Sequence, residues 1–191
     1  MIKKICILML LTLLVSCWDD EAVVVSDSSS QARSWLILFD NNNFSIGIPA
    51  AWDILEDTQW LLPEPSSGTI ELASSSTDLQ NGFSNNILIL SQDLTQTTSS
   101  KDFSLLNHIW VQNQYTQYVK LDTKDLNFNS WDDTVLYVFE AKYNLDTPKL
   151  QFIQTAAVCN NTKWYLITIA LPTSIKDIDR YEDILTTFSC K

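Results

Sequence analysis

The sequence predicts an α+β domain whose strands pair antiparallel. Three observations support this class: segments that alternate apolar and polar residues, turn residues that join these segments into hairpins, and two stretches with a helical period of apolar residues. Hairpins imply antiparallel pairing. The predicted order of strands, helix, strands, helix is typical of α+β proteins. The length of 191 residues fits a leader followed by one domain.

Nine segments are predicted to be strands. Turn residues separate several of them: Asp-Asn-Asn-Asn at 40–43 tolerates left-handed backbone angles, Asn81-Gly82 favours a tight turn, and Asn160-Asn161-Thr162 marks another hairpin. The predicted strands are 34–39, 44–48, 51–57, 69–75, 85–91, 126–129, 134–143, 149–159 and 163–171.

Two helices are predicted. Ser99 or Ser100 can cap the first, which begins near Lys101, and Ser174 can cap the second, which spans about 175–188. An apolar helix face normally packs against a core. The apolar face of the first helix consists of Phe103, Leu106, Ile109, Trp110 and Asn113. The apolar face of the second helix consists of Ile175, Ile178, Tyr181, Leu185 and Phe188.

Residues 1–16 have the pattern of a secretory signal peptide. Lys3 and Lys4 form a short positive segment, and the apolar stretch 5–15 has 11 residues, too few to span a bilayer. The stretch ends in Leu14-Val15-Ser16-Cys17, which resembles the lipobox of bacterial lipoproteins. In that family the cysteine thiol receives a diacylglycerol, the leader is cut before the cysteine, and the new amino group is usually acylated.

The lipobox resemblance implies that Cys17 is the lipidated first residue of the mature chain and that membrane lipid is a partner. Several acyl chains anchor a protein stably where one chain is marginal. The alternative is a cleaved signal peptide without lipid, in which the cysteine occurs by chance. Residues 17–33 are predicted to form a tether and 34–191 the globular domain. We therefore expect a domain anchored to the cell membrane or the outer membrane, facing outside the cytoplasm.

The net charge excludes one class of partner. Nucleic-acid binding requires a basic surface, whereas acidic residues here outnumber basic ones by 23 to 12, for a net charge of −11. Cleavage before Cys17 removes Lys3 and Lys4 and no acidic residue, which leaves 10 basic and 23 acidic residues and a net charge of −13. An acidic surface of this kind usually serves solubility.

A second resemblance covers about residues 35–190. The stretch FSIGIPAAW is similar to the strand–Pro–x–x–Trp motif of the PsbP-like domain. The matching residues are Phe44, Ile46, Ile48, Pro49 and Trp52. The segments VLYVFEAKY, QFIQTAAV and WYLITIAL, and a closing helix that ends in ILTTF, resemble the C-terminal half of that family in their order.

The PsbP-like resemblance implies a central antiparallel β-sheet flanked by helices, an α/β/α sandwich. Most members of the family are binding or assembly proteins and not enzymes. The resemblance therefore implies a non-enzymatic module that binds an unidentified envelope protein, although fold alone does not transfer function. The alternative is a lipoprotein that captures a small molecule or a metal ion in a pocket beside the sheet. A third hypothesis is an enzyme that uses acidic residues.

The residues suited to catalysis or metal binding form no catalytic constellation. His108 is the only histidine and has no His or Cys at ligand spacing, so we predict a surface or half-buried structural role. The chain lacks a G-x-S-x-G elbow, a phosphate loop and a dinucleotide fingerprint, and no cofactor is expected. Asp132 and Asp133, with Asp122 and Asp125 upstream, could hold a hard cation, although a solvated loop is the simpler interpretation.

Two tryptophans are candidates for partner binding. Trp60 precedes a proline-rich loop and Trp131 lies in a polar turn, and an exposed aromatic ring can anchor a partner. The other tryptophans of the domain lie within apolar patterns and are predicted to pack in the core. These are Trp35, Trp52, Trp110 and Trp164.

Cys159 and Cys190 are predicted to form a disulfide. Cys6 leaves with the leader and Cys17 carries the lipid, so these two cysteines remain to pair. The predicted strand after Cys159 carries the chain about 30 Å away, and the closing helix brings it about 21 Å back. A disulfide persists outside the cytoplasm where the compartment is oxidising. The alternative is two reduced thiols.

Overall fold

The computed structural model describes residues 34–55, 68–80, 82–130 and 132–191. These residues contain ten β-strands and two α-helices. The strands are β1 Leu36–Asp40, β2 Phe44–Pro49, β3 Trp52–Ile54, β4 Thr69–Gln80, β5 Phe83–Asp93, β6 Thr116–Asn127, β7 Asp133–Lys142, β8 Leu150–Cys159, β9 Lys163–Pro172 and β10 Ser189–Cys190. The helices are α1 Ser100–Gln114 and α2 Asp179–Thr186. The predicted leader and tether, including Cys17, lie outside the described residues.

The described strands form two antiparallel sheets. Seven strands form the large sheet in the order β3-β4-β5-β9-β8-β7-β6, and three form the small sheet in the order β1-β2-β10. In the large sheet, β5 pairs with β9 over residues 86–93 and 163–170. This pairing joins the strands of the first half of the domain to those of the second half.

The small sheet and α2 cover one face of the large sheet. Alternate side chains of β2 point into the contact, where Phe44, Ile46 and Ile48 are all 0% exposed. The ring of Phe44 lies 5.2 Å from that of Tyr165 on β9 and 5.3 Å from that of Phe188, which follows α2. This contact contains the larger of the two hydrophobic clusters, so sheet-on-sheet burial is the main stabilisation of the described domain.

The described chain begins on the same side of the large sheet. Trp35 packs against the larger hydrophobic cluster, and the guanidinium of Arg180 on α2 lies 4.5 Å from the centre of the Trp35 ring. This cation–π contact holds the start of the domain beside the small sheet and α2.

Helix α1 packs on the opposite face of the large sheet, against β7 and β8. Val111 of α1 is buried with Phe139 of β7 and Phe152 of β8 in the second hydrophobic cluster. Tyr115, which follows the helix, has its ring 4.9 Å from that of Phe152. The second cluster is smaller because α1 alone packs over it, whereas both the small sheet and α2 pack over the larger cluster.

The predicted α/β/α sandwich, which the PsbP-like resemblance implied, is wrong. The segments around β2 pair with one another as a small sheet, and their apolar side chains fill the interface that a layer of helices would occupy. The helix on this face, α2, has only eight residues. The fold is therefore β-rich, with two antiparallel sheets and two helices among the described residues.

The closing helix is shorter than predicted. It begins at Asp179, and its N-cap is Ile178 without a side-chain hydrogen bond, so the predicted cap at Ser174 is wrong. Ile175 and Ile178 still pack against the larger cluster, although they precede the helix. Within the described ranges, neither α1 nor α2 combines the length and the apolar character that a membrane crossing requires.

Strand β6 is much longer than the predicted segment 126–129, because it begins at Thr116. It is an edge strand whose side chains are mostly exposed, so its sequence shows little apolar alternation. Two register shifts in its pairing with β7 and a left-handed φ of 56° at Gln117 interrupt the strand further.

A disulfide between Cys159 and Cys190 joins the two sheets, with the pairing predicted from the sequence. Cys159 ends β8 and Cys190 ends β10, and their Cα atoms are 5.5 Å apart. The side-chain amide of Asn160 donates a hydrogen bond to the carbonyl oxygen of Lys191 at 2.9 Å. The C-terminus is therefore fixed to the end of β8 by a covalent bond and a hydrogen bond.

Removal of this disulfide is predicted to destabilise the domain by about 3–4 kcal/mol, because a crosslink between cysteines 31 residues apart restricts the unfolded chain. The measurement is urea unfolding followed by tryptophan fluorescence, with and without reductant. The Cys159→Ala/Cys190→Ala double variant should unfold at the same lower urea concentration in both conditions. Equal midpoints for the oxidised wild-type protein and the double variant would contradict the prediction.

Candidate functional site

Helix α1 begins at a side-chain cap. The Oγ of Ser99 accepts a hydrogen bond from the backbone N–H of Asp102 at 3.0 Å, which satisfies one of the free donors of the first turn. The Asp102 side chain lies in that turn, where the helix dipole favours a negative charge. The helix then runs for 15 residues.

The face of α1 that lies on the sheet is mostly polar. Its buried residues are Ser100, Ser104, His108 and Val111, spaced as one helix face requires. The Oγ of Ser104 donates to the carbonyl oxygen of Val135 on β7 at 2.8 Å. The Oγ of Ser100 accepts from the backbone N–H of Val158 on β8 at 2.8 Å. These serines bring the helix backbone close to the sheet and hydrogen-bond it to two strands.

His108 lies between the helix and the sheet and is 4% exposed, so the predicted surface or half-buried position is wrong. Its ring stacks on Tyr137 of β7 with a centroid distance of 3.5 Å and an interplanar angle of 7°. Its Nε2 shares a hydrogen bond of 2.8 Å with the hydroxyl of Tyr118 on β6. Among the described residues, its Nδ1 has no hydrogen-bond partner.

Burial, followed by the positive charge of Lys120, lowers the pKa of His108 to about 4. The imidazole is therefore neutral at pH 7, which suits its stacked position against an apolar and aromatic surface. Burial also raises the pKa of Tyr118 to about 12, so its hydroxyl keeps its proton at pH 7. The pair acts as a neutral polar contact inside the second cluster.

The outward side of α1 is apolar, which reverses the predicted orientation of the helix. Leu106 and Ile109 are each 59% exposed and Trp110 is 69% exposed, so the predicted core packing of these residues is wrong. Leu105 beside them is 44% exposed. We call the surface formed by Leu105, Leu106, Ile109 and Trp110 the outer face of α1. Residues 103–114 include no Asp, Glu, Lys or Arg, so the outer face is also uncharged.

The other predicted core tryptophans of the described residues are partly buried, as expected. Trp35 and Trp52 pack against the larger cluster. Trp164 of β9 stacks on Phe103 of α1 with ring centroids 5.0 Å apart. The two tryptophans predicted to bind a partner, Trp60 and Trp131, lie outside the described residues, so their predicted role stays a prediction.

The structure does not bring the four aspartates of the predicted metal site together around one point. Asp132 accepts a hydrogen bond from the Oγ of Ser100. Asp125 and Asp133 both face the ammonium of Lys101, at 2.8 and 3.8 Å. Within the described ranges, no group of three or more His, Cys, Asp or Glu side chains is placed to hold a metal ion. Cation binding by Asp132 and Asp133 stays a prediction.

An open depression of about 390 Å³ lies at the N-terminal end of α1, beside the disulfide. Ser100, Asp132, Asn160 and Cys190 are among the residues that line it. Ser100 and Asp132 hydrogen-bond to each other, and Asn160 bonds to the C-terminal residue. These polar groups therefore stabilise the fold and are already engaged.

The fold defines a β-rich domain of two packed antiparallel sheets with one described helix on the far side. No protein-family model and no curated protein matches the chain. A solved structure from Bacteroides thetaiotaomicron VPI-5482 matches 78% of this chain and 45% of its own, with 10% identity and a TM-score of 0.47. A protein of unknown function from Pseudomonas aeruginosa, described as a putative regulator, matches 77% of this chain and 88% of its own, with 13% identity and a TM-score of 0.42. The match spans less than half of the first structure, and similarity at this level carries no functional argument.

The buried imidazole predicts a specific pH dependence of stability. The unfolded chain binds a proton at His108 near pH 6.5, whereas the native protein does so only near pH 4. The free energy of unfolding should therefore fall as the pH decreases from 6.5 to 4, by at most about 3 kcal/mol from this group, and the contribution should be constant below pH 4.

Urea unfolding of the wild-type protein and of His108→Phe at pH 4, 5, 6 and 7 measures this effect. The phenyl ring keeps the stacking on Tyr137 and does not titrate, while all carboxylates titrate in both proteins. The difference in unfolding free energy between the two proteins should shift in favour of the variant as the pH falls. A difference that does not change with pH would rule out a depressed pKa at His108.

Proposed function

We propose that the protein is a lipid-anchored extracytoplasmic lipoprotein whose domain binds another protein molecule of the cell envelope and performs no catalysis. The observation that carries this proposal is the outer face of α1. Its four large apolar side chains are 44% to 69% exposed. Together they present roughly 400 Å² of contiguous apolar surface, in the range where such patches are often functional.

The composition of the outer face suits a protein contact. Trp110 is the most exposed of its residues, and tryptophan is enriched among the residues that dominate binding energy. Leu106 lies beside it on the preceding turn and Ile109 directly precedes it, and both can help to exclude water from the indole ring. Covering such side chains removes apolar area from water, which is the main favourable term in protein association.

The membrane anchor is the second part of the proposal. The stretch Leu14-Val15-Ser16-Cys17 supports it through its resemblance to a lipobox, and the predicted tether 17–33 separates the lipid from the first described residue. The disulfide between Cys159 and Cys190 fits an oxidising compartment outside the cytoplasm.

The alternative function, capture of a small molecule or a metal ion, has weaker support. The depression beside the disulfide is lined by several polar side chains, but Ser100, Asp132 and Asn160 in it already bond to protein atoms. Polar groups that are engaged in this way do not converge on a ligand position. The outer face of α1 therefore supports protein binding more strongly than the depression supports ligand binding.

The anchor is tested by the intact mass of the protein extracted from membranes of a bacterial host. We expect the mass of residues 17–191 plus a diacylglycerol, with or without one further acyl chain. The Cys17→Ser variant should lack the lipid mass and retain the leader, because the leader is cut before a lipidated cysteine. A wild-type mass equal to that of the unmodified polypeptide would contradict lipidation.

Protein binding is tested by photo-crosslinking in intact membranes. A photoreactive amino acid at position 106 should give an adduct with a protein, because Leu106 is 59% exposed at the centre of the outer face. The control position is Leu38 on β1, which is 69% exposed and lies in the small sheet. An additional Ile109→Glu substitution should lower the yield of the adduct at position 106 about tenfold, since a charge opposes burial. Equal yields at the two positions, or no adduct at position 106, would refute the proposal.

A further inference from the structure

The face of the large sheet that carries α1 has a second half that no described helix or strand covers. Helix α1 lies on β7 and β8, whereas β9, β5 and β4 continue the sheet beside it. Ala170 of β9 belongs to the cluster under α1, so Thr168, Leu166 and Trp164 point to the same side by alternation. The stack of Phe103 on Trp164 confirms this direction.

This uncovered half forms a shallow apolar trough beside the helix. On β5, Leu88 lies opposite Thr168 and Leu90 lies opposite Leu166. Leu88, Leu90 and Leu166 are all partly exposed. We call the surface formed by Leu88, Leu90, Trp164, Leu166 and Thr168 the trough. The face as a whole is therefore a helical ridge next to an apolar trough.

The dimensions of the trough match one helix. Its two strands, β9 and β5, at about 4.8 Å spacing give a width of roughly 10 Å, and an α-helix with its side chains is about 10–12 Å across. The outer face of α1 lies within residues 105–110, which span about 9 Å along the helix axis. Residues 164–168 of β9 extend over about 17 Å, so the trough is also long enough for the outer face.

We propose that the partner of the outer face of α1 is a second copy of this chain, whose trough receives α1 while its own α1 fills the trough of the first copy. This inference rests on the proposed function, because it names the protein that the outer face binds. A twofold axis between the two helices places the outer face of α1 of each copy against the trough of the other copy. Such an isologous contact closes on itself and forms a dimer without further growth.

The net charge of the chain restricts the surfaces on which two copies can meet. Each mature chain is predicted to carry a net charge of −13, so two copies repel each other over most of their surfaces. The outer face of α1 and the trough contain no Asp, Glu, Lys or Arg. Two copies that meet on these surfaces therefore bury no like-charge pair at the centre of the contact.

The area is at the lower end of what a specific dimer buries. The outer face contributes roughly 400 Å² of apolar surface per copy, and the trough, whose side chains are only partly exposed, adds at most about 300 Å². The sum approaches the ~800 Å² per partner that a stable interface buries. In the resulting arrangement the two α1 helices form one layer between two large sheets, and both sides of each helix are covered.

Crosslinking in membranes with two differently tagged copies of the full chain tests this proposal. One copy carries the photoreactive amino acid at position 106, and the other is otherwise wild type. We expect a product that contains both tags, with the crosslinked peptide of the second copy coming from residues 86–92 or 164–168. The same amino acid at position 38 is the control and should give little of this product.

The Ile109→Glu substitution in both copies should lower the two-tag product about tenfold, with an unchanged urea midpoint because Ile109 is 59% exposed. Three outcomes overturn the inference. An adduct with a different protein would leave the proposed function intact and identify another partner. A crosslink within one chain to residues 18–33 or 56–67 would show that the chain covers its own outer face of α1. The lack of any adduct would contradict the proposed function as well.

Discussion

The pairing of β5 with β9 is the contact on which the whole domain depends. It joins strands β3 to β5 to strands β6 to β9, which would otherwise form two separate sheets. Alternate side chains of β9 contribute to both sides: Tyr165, Ile167 and Ile169 enter the larger cluster, while Leu166 and Trp164 face the side of α1. Because Leu72, Ile87 and Ile89 of β4 and β5 belong to the larger cluster, that cluster requires this long-range contact between residues 86–93 and 163–170.

In the orientation of α1, hydrogen bonding to the sheet outweighs the burial of apolar side chains and decides which face of the helix lies on the sheet. Ser104 bonds to a carbonyl oxygen of β7, and Ser100 accepts from an N–H of β8. Short side chains let the helix backbone approach the sheet, and buried polar groups that are paired cost little. The helix consequently presents its larger apolar residues to solvent. An assembly that covers them would gain the hydrophobic stabilisation that these residues do not provide in the monomer.

Sequence patterns predicted most strands because apolar alternation is a local property. Strand β9 and the alternating residues of β2 illustrate this success, and the disulfide followed from the lengths of the elements between Cys159 and Cys190. The layer structure was not predictable in the same way, since the pairing of β10 with β2 joins residues about 145 positions apart and has no local signal. Strand β6 was largely missed because an exposed edge strand needs no apolar alternation.

The candidate site was predicted only in part. The helix was predicted from periodicity and composition, with a cap at Ser99 or Ser100, and Ser99 is the cap. However, α1 carries two stripes, one apolar and one of small and polar residues. Periodicity locates both stripes and does not decide which one faces the sheet. That choice depends on the carbonyl oxygen of Val135 and the N–H of Val158, whose positions only the folded sheet defines. The burial of His108 follows from the same orientation of the helix.

The contact of Arg180 with Trp35 places the start of the domain on the side of the small sheet, away from α1. The first described residues therefore lie on the side opposite to the outer face and the trough, and a chain anchored at Cys17 would be attached through these residues. Attachment to one bilayer confines neighbouring copies to two dimensions and so raises their effective concentration for one another. The anchor would thus raise the local concentration of the protein. Assembly would depend on the surface density of the protein in its membrane more than on its total amount in the cell.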